Sequence, residues 1–276
     1  MLEDRDAFLE YLNNSLNQED PSGELSAARA AGSADLSSVL FLLGVLPGAN
    51  GRAPEPCLIL NKRSKQIRQP GDLCCPGGGI SEPVDSLLAT LLKLPFSPLA
   101  KWRKWRHLRS GHPNLSHIFA KLVATGLREG FEEMRLNPLG VDIMGILPLQ
   151  ELIMFHRTIF PVIGWIRHQT RFFPNREVER IIIIPLRELI QNGNYARYRL
   201  EFKINHHYRA DGDEEDFPCF VHNSRAGMEL LWGATYRITI DFLRLIFDYS
   251  PPEMTTLPVF NGTIRQPYLT GQGDRV

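Results

Sequence analysis

The sequence has 276 residues and a balanced charge, with 31 Lys and Arg against 31 Asp and Glu. This length allows a buried core, and 43% hydrophobic residues is ordinary for a globular protein. Zero net charge gives no global field toward nucleic acid, so no nucleic-acid partner is expected. The four cysteines lack metal-site spacing, and the acidic start lacks the features of a signal peptide. These features predict a cytoplasmic protein with buried, reduced thiols.

The N-terminal third predicts a helix and then paired strands. Segment 1–36 contains apolar residues at helical spacing over 5–17, followed by a Ser-, Ala- and Gly-rich stretch typical of a mobile linker. Residues 37–46 and 57–61 are apolar runs typical of buried strands. A Pro- and Gly-containing turn over 47–51 joins them, which indicates a hairpin and places the start of the folded domain at residue 37.

A basic segment follows the second strand and runs into a glycine-rich turn at 75–79. The segment contains Arg63 and Arg68, and the turn contains Gly77 and Gly78. Arginine forks and exposed backbone N–H groups are the groups with which proteins hold phosphates. The segment therefore predicts a phosphate-binding site, with an ordinary basic surface loop as the alternative.

Residues 90–122 form a segment with basic residues and no Asp or Glu. Two tryptophans, Trp102 and Trp105, are interleaved with the charges. We expect a solvated helical hairpin that packs its tryptophans on the domain; the alternatives are a lid over a phosphorylated substrate and a membrane-surface helix. The basic residues are Lys93, Lys101, Arg103, Lys104, Arg106, Arg109 and Lys121.

The next segment, 127–134, predicts a helix with an apolar stripe and an acidic face. Glu129 lies three residues before Glu132 and four before Glu133, so the three carboxylates can share one face. Arg128 lies four residues before Glu132 and is placed to hold a carboxylate. Oxygen ligands on one face suit a hard divalent cation such as Mg²⁺, whereas taken alone the string favours a solvated acidic face.

The C-terminal half predicts further strands, a helix and a loose end. Glu177 lies on a loop before one of the strands, and a helix is expected to open at residue 229. The tail from 249 to 276 contains Pro, Thr and Gly and is expected to be loosely ordered. An acidic turn is expected over 211–216. The expected strands are 141–147, 158–166, 180–186 and 197–210.

A glycine-rich turn, an acidic segment and an Arg-Glu-x-x-Glu-Glu helix together resemble the Nudix box of the Nudix hydrolases. The resemblance implies an α/β/α sandwich with a mixed sheet over residues 37–248. Gly78 lies fifty residues before Arg128, so 90–122 is a helical insertion inside the box. The family's glycine near the helix end is replaced by Arg135, which suggests that the helix continues or ends differently. The carboxylate expected between turn and helix is Asp85 or Glu82.

Within this superfamily, four local patterns resemble the coenzyme A pyrophosphatase branch. These are the Arg-Ser segment leading into Pro-Gly-Gly, a Pro-Val-Ile-Gly strand, a Pro-Asn-x-Glu-Val loop and a Trp-Gly-Ala-Thr helix start. Gln69-Pro70 departs from the branch pattern. The resemblance implies a diphosphatase, a hydrolase acting on phosphorus anhydrides, that splits coenzyme A or an acyl-coenzyme A into 3′,5′-ADP and a phosphopantetheine.

The resemblance also implies roles for individual residues. Mg²⁺ or Mn²⁺ would be held by Glu129, Glu132, Glu133 and Glu177. Glu129 or Glu132 would act as the base, and Arg128 would orient a carboxylate. Substrate would be held by Arg63, Arg68, Gly77 and Gly78.

Two alternatives remain open from the sequence. One is hydrolysis of another nucleoside diphosphate derivative, such as NADH or ADP-ribose. The other is a binding module that keeps the fold without turnover. The expected partner is a small-molecule nucleoside diphosphate rather than nucleic acid or a membrane surface, and the oligomeric state stays open.

Overall fold

The computed structural model describes residues 2–32, 35–46, 54–152, 157–203, 212–224 and 226–271. It divides into two compact units: residues 1–59 with 75–173, and residues 60–74 with 174–276. The helices are α1 Arg5–Leu16, α2 Ser22–Ala31, α3 Val84–Leu91, α4 Trp105–Gly111, α5 Pro113–Met134, α6 Leu186–Leu189, α7 Gly233–Phe247 and α8 Gln266–Thr270. The strands are β1 Leu36–Leu46, β2 Glu55–Arg63, β3 Leu73–Cys74, β4 Gly77–Gly79, β5 Val141–Ile146, β6 Gln150–Leu152, β7 Arg157–Ile166, β8 Val178–Pro185, β9 Tyr195–Lys203, β10 Glu214–Ser224, β11 Gly227–Trp232 and β12 Val259–Arg265.

Strand β1 is the centre of the first unit. It pairs antiparallel with β2 and β4 and parallel with β7, and β7 pairs antiparallel with β5 and β6. Its apolar sequence suits this position, because a central strand is buried on both faces. The mixed sheet and the flanking helices confirm the predicted α/β class, and the β1–β2 pairing confirms the hairpin. The turn predicted at 47–51 lies outside the described residues.

The predicted linker is wrong for most of its length, because α2 is a helix. Leu25 and Ala28 are buried on its inner face, and Leu149 N–H donates a hydrogen bond to Glu24 Oε2 at 2.9 Å. Ala-rich sequences have high helix propensity, and tertiary packing stabilises short helices that would be marginal alone. Composition was therefore a poor guide to this segment.

The insertion packs its tryptophans inward, as the favoured sequence interpretation expected. Trp102 and Trp105 are buried, and Trp102 Nε1–H donates a hydrogen bond to Met144 O at 3.1 Å. The ring of Trp102 also lies 4.7 Å from that of Phe119, measured between centroids. The rings are therefore core groups, not a membrane-facing set. Within the described residues, no helix combines the length and the apolar run that a membrane span requires.

Helix α5 ends at the residue where the Nudix pattern places glycine. Arg135 adopts a left-handed conformation with φ of 56°. Leu136 N–H donates to Gly130 O and Arg135 N–H donates to Phe131 O, which is the pairing that satisfies the last carbonyls of a helix. Gln169 Nε2 donates to Arg135 O at 2.9 Å and helps to hold this conformation. The helix therefore ends without the glycine.

The second unit contains a four-stranded sheet in the order β11-β10-β9-β12. Strand β12 runs parallel to β9, and Ile264 packs with Leu200 and Phe202 in a buried cluster. The tail predicted to be loosely ordered is therefore wrong for β12 and α8. The helix predicted to open at residue 229 is also wrong there, because Glu229–Trp232 belongs to β11 and α7 begins at Gly233.

Two other predicted segments lie partly outside the described residues. Of the strand predicted over 197–210, residues 197–203 belong to β9, and residues 204–210 lie outside the described part of the chain. Of the acidic turn predicted over 211–216, residue 211 lies outside, and β10 already begins at Glu214. The cysteines follow the prediction of burial except for Cys74, which is half-buried.

Candidate active site

Helix α5 carries the acidic residues that the sequence singled out, and they differ in burial. Glu133 is 8% exposed and accepts a hydrogen bond from Gly77 N–H at 3.2 Å. The side chain of Glu129 is 19% exposed, whereas that of Glu132 is 53% exposed. The three carboxylates lie within about one helical turn and range from the buried face to solvent.

Arg128 connects two of these carboxylates, Glu129 and Glu132, to the segment that precedes them in the chain. Its Nη1 donates to Glu129 Oε1 at 2.9 Å and to Glu132 Oε2 at 3.3 Å. Its Nε and Nη2 bond the two oxygens of Asp85 at 2.7 and 3.1 Å, and Nη2 also donates to Gly79 O at 3.1 Å. This fork geometry is the strongest that arginine makes with a carboxylate. Arg128 therefore has a fixed position beside Glu129.

Of the two carboxylates that the sequence left open, Asp85 lies against Arg128. Asp85 is fully buried near the start of α3. Glu82 instead forms an ion pair with Lys121 and is largely exposed. Asp85 is therefore the carboxylate that holds Arg128.

Two further donors keep Asp85 ionised. Ser81 N–H donates to Asp85 Oδ2 at 2.7 Å, and Thr125 Oγ1 donates to the same oxygen at 2.9 Å. Burial opposes ionisation, but the hydrogen bonds from Arg128, Ser81 and Thr125 outweigh it and hold the pKa of Asp85 below its ordinary value. Sequence reasoning missed Thr125. The available signal was a polar residue three positions before Arg128 in an otherwise apolar helical run.

Glu129 has the opposite electrostatic setting. Partial burial raises the pKa of the Glu129 carboxyl above its ordinary value, although the charge and hydrogen bond of Arg128 act against the rise. The carboxyl group lies directly over Gly78. A Cβ added to Gly78 would stand 2.7 Å from Glu129 Cδ, which is closer than carbon atoms approach. Only glycine leaves room for this carboxylate.

The glycine-rich turn predicted at 75–79 is wrong for residues 77–79, which form strand β4 along β1. Gly77 pairs with Val39, and Gly78 pairs with Ser38. A Cβ on Gly77 would stand 2.6 Å from the Cα of Val39, so glycine is required by the closeness of the two backbones. Runs of glycine usually indicate turns, and the contact that makes these a strand is not visible locally.

These two glycines predict different mutant phenotypes. Gly78→Ala is expected to displace the carboxylate of Glu129, so that kcat falls by about 100-fold while the midpoint of thermal unfolding changes little. Gly77→Ala is expected to push on the β1 backbone and lower the unfolding midpoint instead. Paired measurements of kcat and thermal unfolding on both variants check this. If Gly78→Ala lowered the unfolding midpoint as much as Gly77→Ala does, the separate roles given to the two glycines would be contradicted.

Arg63 and Arg68 belong to the second unit, on the loop between β2 and β3. Arg68 is exposed. Arg63 is half-buried, and its Nε donates to Arg68 O at 2.8 Å. The loop closes on itself through hydrogen bonds from Arg63 N–H to Asp72 O and from Gly71 N–H to Arg63 O. Part of the Arg63 fork therefore holds the loop, and Arg68 has the more open side chain.

Glu177 also belongs to the second unit, just before β8. Its N–H donates to Asn175 Oδ1 at 2.8 Å, and its carbonyl accepts from Ser64 N–H at 2.8 Å. These backbone bonds fix the residue beside the loop between β2 and β3 that carries Arg63 and Arg68. The metal role implied for its carboxylate stays a prediction.

The donor set on α5 fits a hard divalent cation in kind, since it consists of carboxylate oxygens. Glu129 and Glu132 share one Arg128 nitrogen, which offsets the repulsion between them. Among the described residues, no three His, Cys, Asp or Glu side chains stand close enough together to hold a metal as they are placed. The residues are suited to a cation, and its binding stays a prediction.

The fold and this helix define an α/β protein with a carboxylate site anchored by arginine. No family model matches the chain. It is 26% identical over 158 residues to an uncharacterized Nudix hydrolase, NudL, of Cronobacter sakazakii, covering 56% of this chain and 64% of that protein. It is also 27% identical over 188 residues to the NudL of Pectobacterium atrosepticum, covering 67% of this chain and 72% of that protein. The chain thus spans just under two thirds of the first relative. In its box residues and in its likeness to these relatives, the chain resembles the Nudix hydrolase superfamily.

A solved structure also shows a slight likeness. The MutT/nudix family protein from Enterococcus faecalis is 11% identical, with a TM-score of 0.39 over 87% of this chain and 74% of that one.

Proposed function

We propose that this protein hydrolyses the diphosphate linkage of coenzyme A or an acyl-coenzyme A and releases 3′,5′-ADP and a phosphopantetheine. The observation that carries hydrolysis is the arrangement of Glu129 against Gly78 and beside Arg128, with Arg128 held by buried Asp85. The choice of substrate is supported by the resemblance of the segment from Arg63 to Gly78 to the coenzyme A branch.

The chain's own groups suit this reaction. A diphosphate concentrates negative charge and repels hydroxide, so the reaction needs cationic groups at the phosphates and a base for water. We assign the phosphate contacts to Arg63 and Arg68. Glu129 takes the proton of the attacking water, because its carboxylate is more enclosed than that of Glu132 and is held in place by Arg128.

A divalent cation is part of this proposal. Glu129, Glu132, Glu133 and Glu177 would hold it. Bound Mg²⁺ or Mn²⁺ neutralises charge on a diphosphate and acidifies water at the site. We also expect the protein to act in the cytoplasm, as its sequence suggests.

A substrate panel tests the proposal. Purified protein is incubated with coenzyme A, an acyl-coenzyme A, NADH, ADP-ribose and a nucleoside triphosphate, each with Mg²⁺, with Mn²⁺ and with chelator. We expect 3′,5′-ADP from the first two substrates only, and at least a roughly 100-fold loss of rate with chelator.

Other outcomes would change the assignment. Turnover of ADP-ribose or NADH in place of coenzyme A would support diphosphate hydrolysis but would contradict coenzyme A as the substrate. Binding of Mn²⁺ without turnover of any panel member would favour a binding module.

A further inference from the structure

The loop that carries Arg63 and Arg68 is held by the C-terminal segment of the chain. We call residues 63–72 the basic loop. Gln69 N–H donates to Tyr268 O at 2.8 Å, and Tyr268 Oη–H donates to Asp72 Oδ2 at 2.6 Å. Tyr268 therefore bonds the basic loop twice, once through its backbone and once through its hydroxyl.

A second side chain completes the support of Asp72. Trp232 Nε1–H donates to Asp72 Oδ1 at 3.1 Å, and the rings of Trp232 and Tyr268 lie 6.4 Å apart between centroids. Both oxygens of Asp72 thus accept a hydrogen bond from an aromatic side chain. A half-buried carboxylate needs such donors, because burial without them is costly.

The backbone of the basic loop needs this support. Gln69 has a φ of 55°, a left-handed conformation that residues other than glycine rarely adopt. It lies next to Arg68, whose backbone is in close contact with Gly271. A Cβ on Gly271 would stand 2.8 Å from Arg68 N. Residues 268–271 therefore lie close to the part of the basic loop that presents Arg68.

We infer that Tyr268 is a positioning residue for substrate binding, because it sets the conformation in which the basic loop presents Arg63 and Arg68 to the phosphates of the substrate. This inference rests on the proposed function of the two arginines. It gives a role to α8, which lies in the segment that the sequence predicted to be loosely ordered.

The charge of Asp72 gives this role a pH signature. Burial raises the pKa of Asp72 to about 6, against the hydrogen bonds from Tyr268 and Trp232 and the charge of Arg63. The titratable groups that face Asp72 are Tyr268, Tyr198 and Arg63. Below that pH the carboxyl is neutral and accepts weaker hydrogen bonds, so KM is expected to rise. Tyr268→Phe removes a bond that favours the anion, so the rise should begin at higher pH.

The test compares Tyr268→Phe with Tyr249→Phe in the full-length protein. Tyr249 Oη–H donates to Asn192 Oδ1 at 2.8 Å, so each variant loses one tyrosine hydroxyl bonded to a side chain of the second unit. The measurements are kcat and KM for coenzyme A between about pH 5.5 and 8.5, calorimetric binding of 3′,5′-ADP, and amide hydrogen exchange of residues 63–72. Asp72→Asn is the second variant, since it keeps the shape and cannot ionise.

We expect Tyr268→Phe to raise KM about tenfold, weaken 3′,5′-ADP binding by a similar factor and leave kcat within about twofold. Exchange of the basic loop should rise, Tyr249→Phe should match wild type, and Asp72→Asn should lose the rise of KM at low pH. Unchanged KM in Tyr268→Phe with an active wild type would overturn the inference, whether or not loop exchange rises. An equal fall of kcat in both tyrosine variants would also overturn it. Wild type that neither hydrolyses coenzyme A nor binds 3′,5′-ADP would instead overturn the proposed function, and with it this inference.

Discussion

Glu129→Gln is expected to lower kcat by about 1000-fold while leaving the folded structure intact. Glutamine has the shape of glutamate and can still accept the hydrogen bond from Arg128 Nη1, so the contact at 2.9 Å and the fit over Gly78 are kept. It cannot accept a proton from water. General-base groups contribute roughly 100- to 10,000-fold to rate, and a cation ligand would be weakened as well.

The comparison with Glu132→Gln makes this prediction specific. The Glu132 side chain is 53% exposed and is joined to Arg128 at 3.3 Å, so its loss should cost less, about 100-fold. Glu10→Gln on α1 is the matched control for removing an exposed carboxylate, and it should keep wild-type kcat. Measured kcat for Glu129→Gln above about a tenth of wild type would remove Glu129 as the base and transfer the role to Glu132.

The helical segment 127–134 was predictable from the sequence because two independent signals agree there. Apolar residues recur at helical spacing, and the charged residues fall on the other face of the same segment. Helix α5 confirms the helix and the contact of Arg128 with Glu129 and Glu132, but its two faces are less clean than predicted, because Phe131 is exposed and Glu133 is buried. Patterns within one element are visible in a single sequence, since they depend on neighbours three or four residues away.

The choice between Asp85 and Glu82 was not visible in the same way. Both are acidic and lie three residues apart before or within α3. The contact that separates them is with Arg128, which lies 43 residues further along the chain than Asp85. Such a contact is a property of the packing of α3 on α5, and no local pattern encodes it.

The same reason explains the errors at β4, α2 and β12. Glycines, alanines and a Thr- and Pro-containing tail have weak or ambiguous local preferences, and partners elsewhere in the chain decide their structure. Strand β4 exists because β1 pairs with it, and β12 exists because β9 does. β-propensity depends strongly on such context. Tyr268, which bonds the basic loop twice, lies in this mispredicted tail.

Asp85→Asn is expected to destabilise the folded protein by about 3 kcal/mol, since it removes the charge that compensates Arg128 in a buried pair. The loss is at the low end for a broken buried ion pair because Glu129 and Glu132 still contact the guanidinium. For a chain of this size, that corresponds to a fall of roughly 8 °C in the unfolding midpoint. Thermal and denaturant unfolding at about pH 7 measure it. Glu82→Gln is the matched control, because the exposed pair of Glu82 with Lys121 contributes less than about 1 kcal/mol.

The stability difference between wild type and Asp85→Asn is expected to depend on pH with a definite sign. The pKa of Asp85 is lowered in the folded protein, so its stabilising charge is fully present above the unfolded pKa of about 3.9 and is lost as pH falls through the folded pKa. The Asp85→Asn variant has no such titration at this position. The stability gap between wild type and Asp85→Asn should therefore be constant from about pH 6 to 8 and shrink below about pH 4. Equal unfolding midpoints for Asp85→Asn and Glu82→Gln would show that Asp85 does not hold Arg128, and the anchoring of the whole carboxylate site would need another explanation.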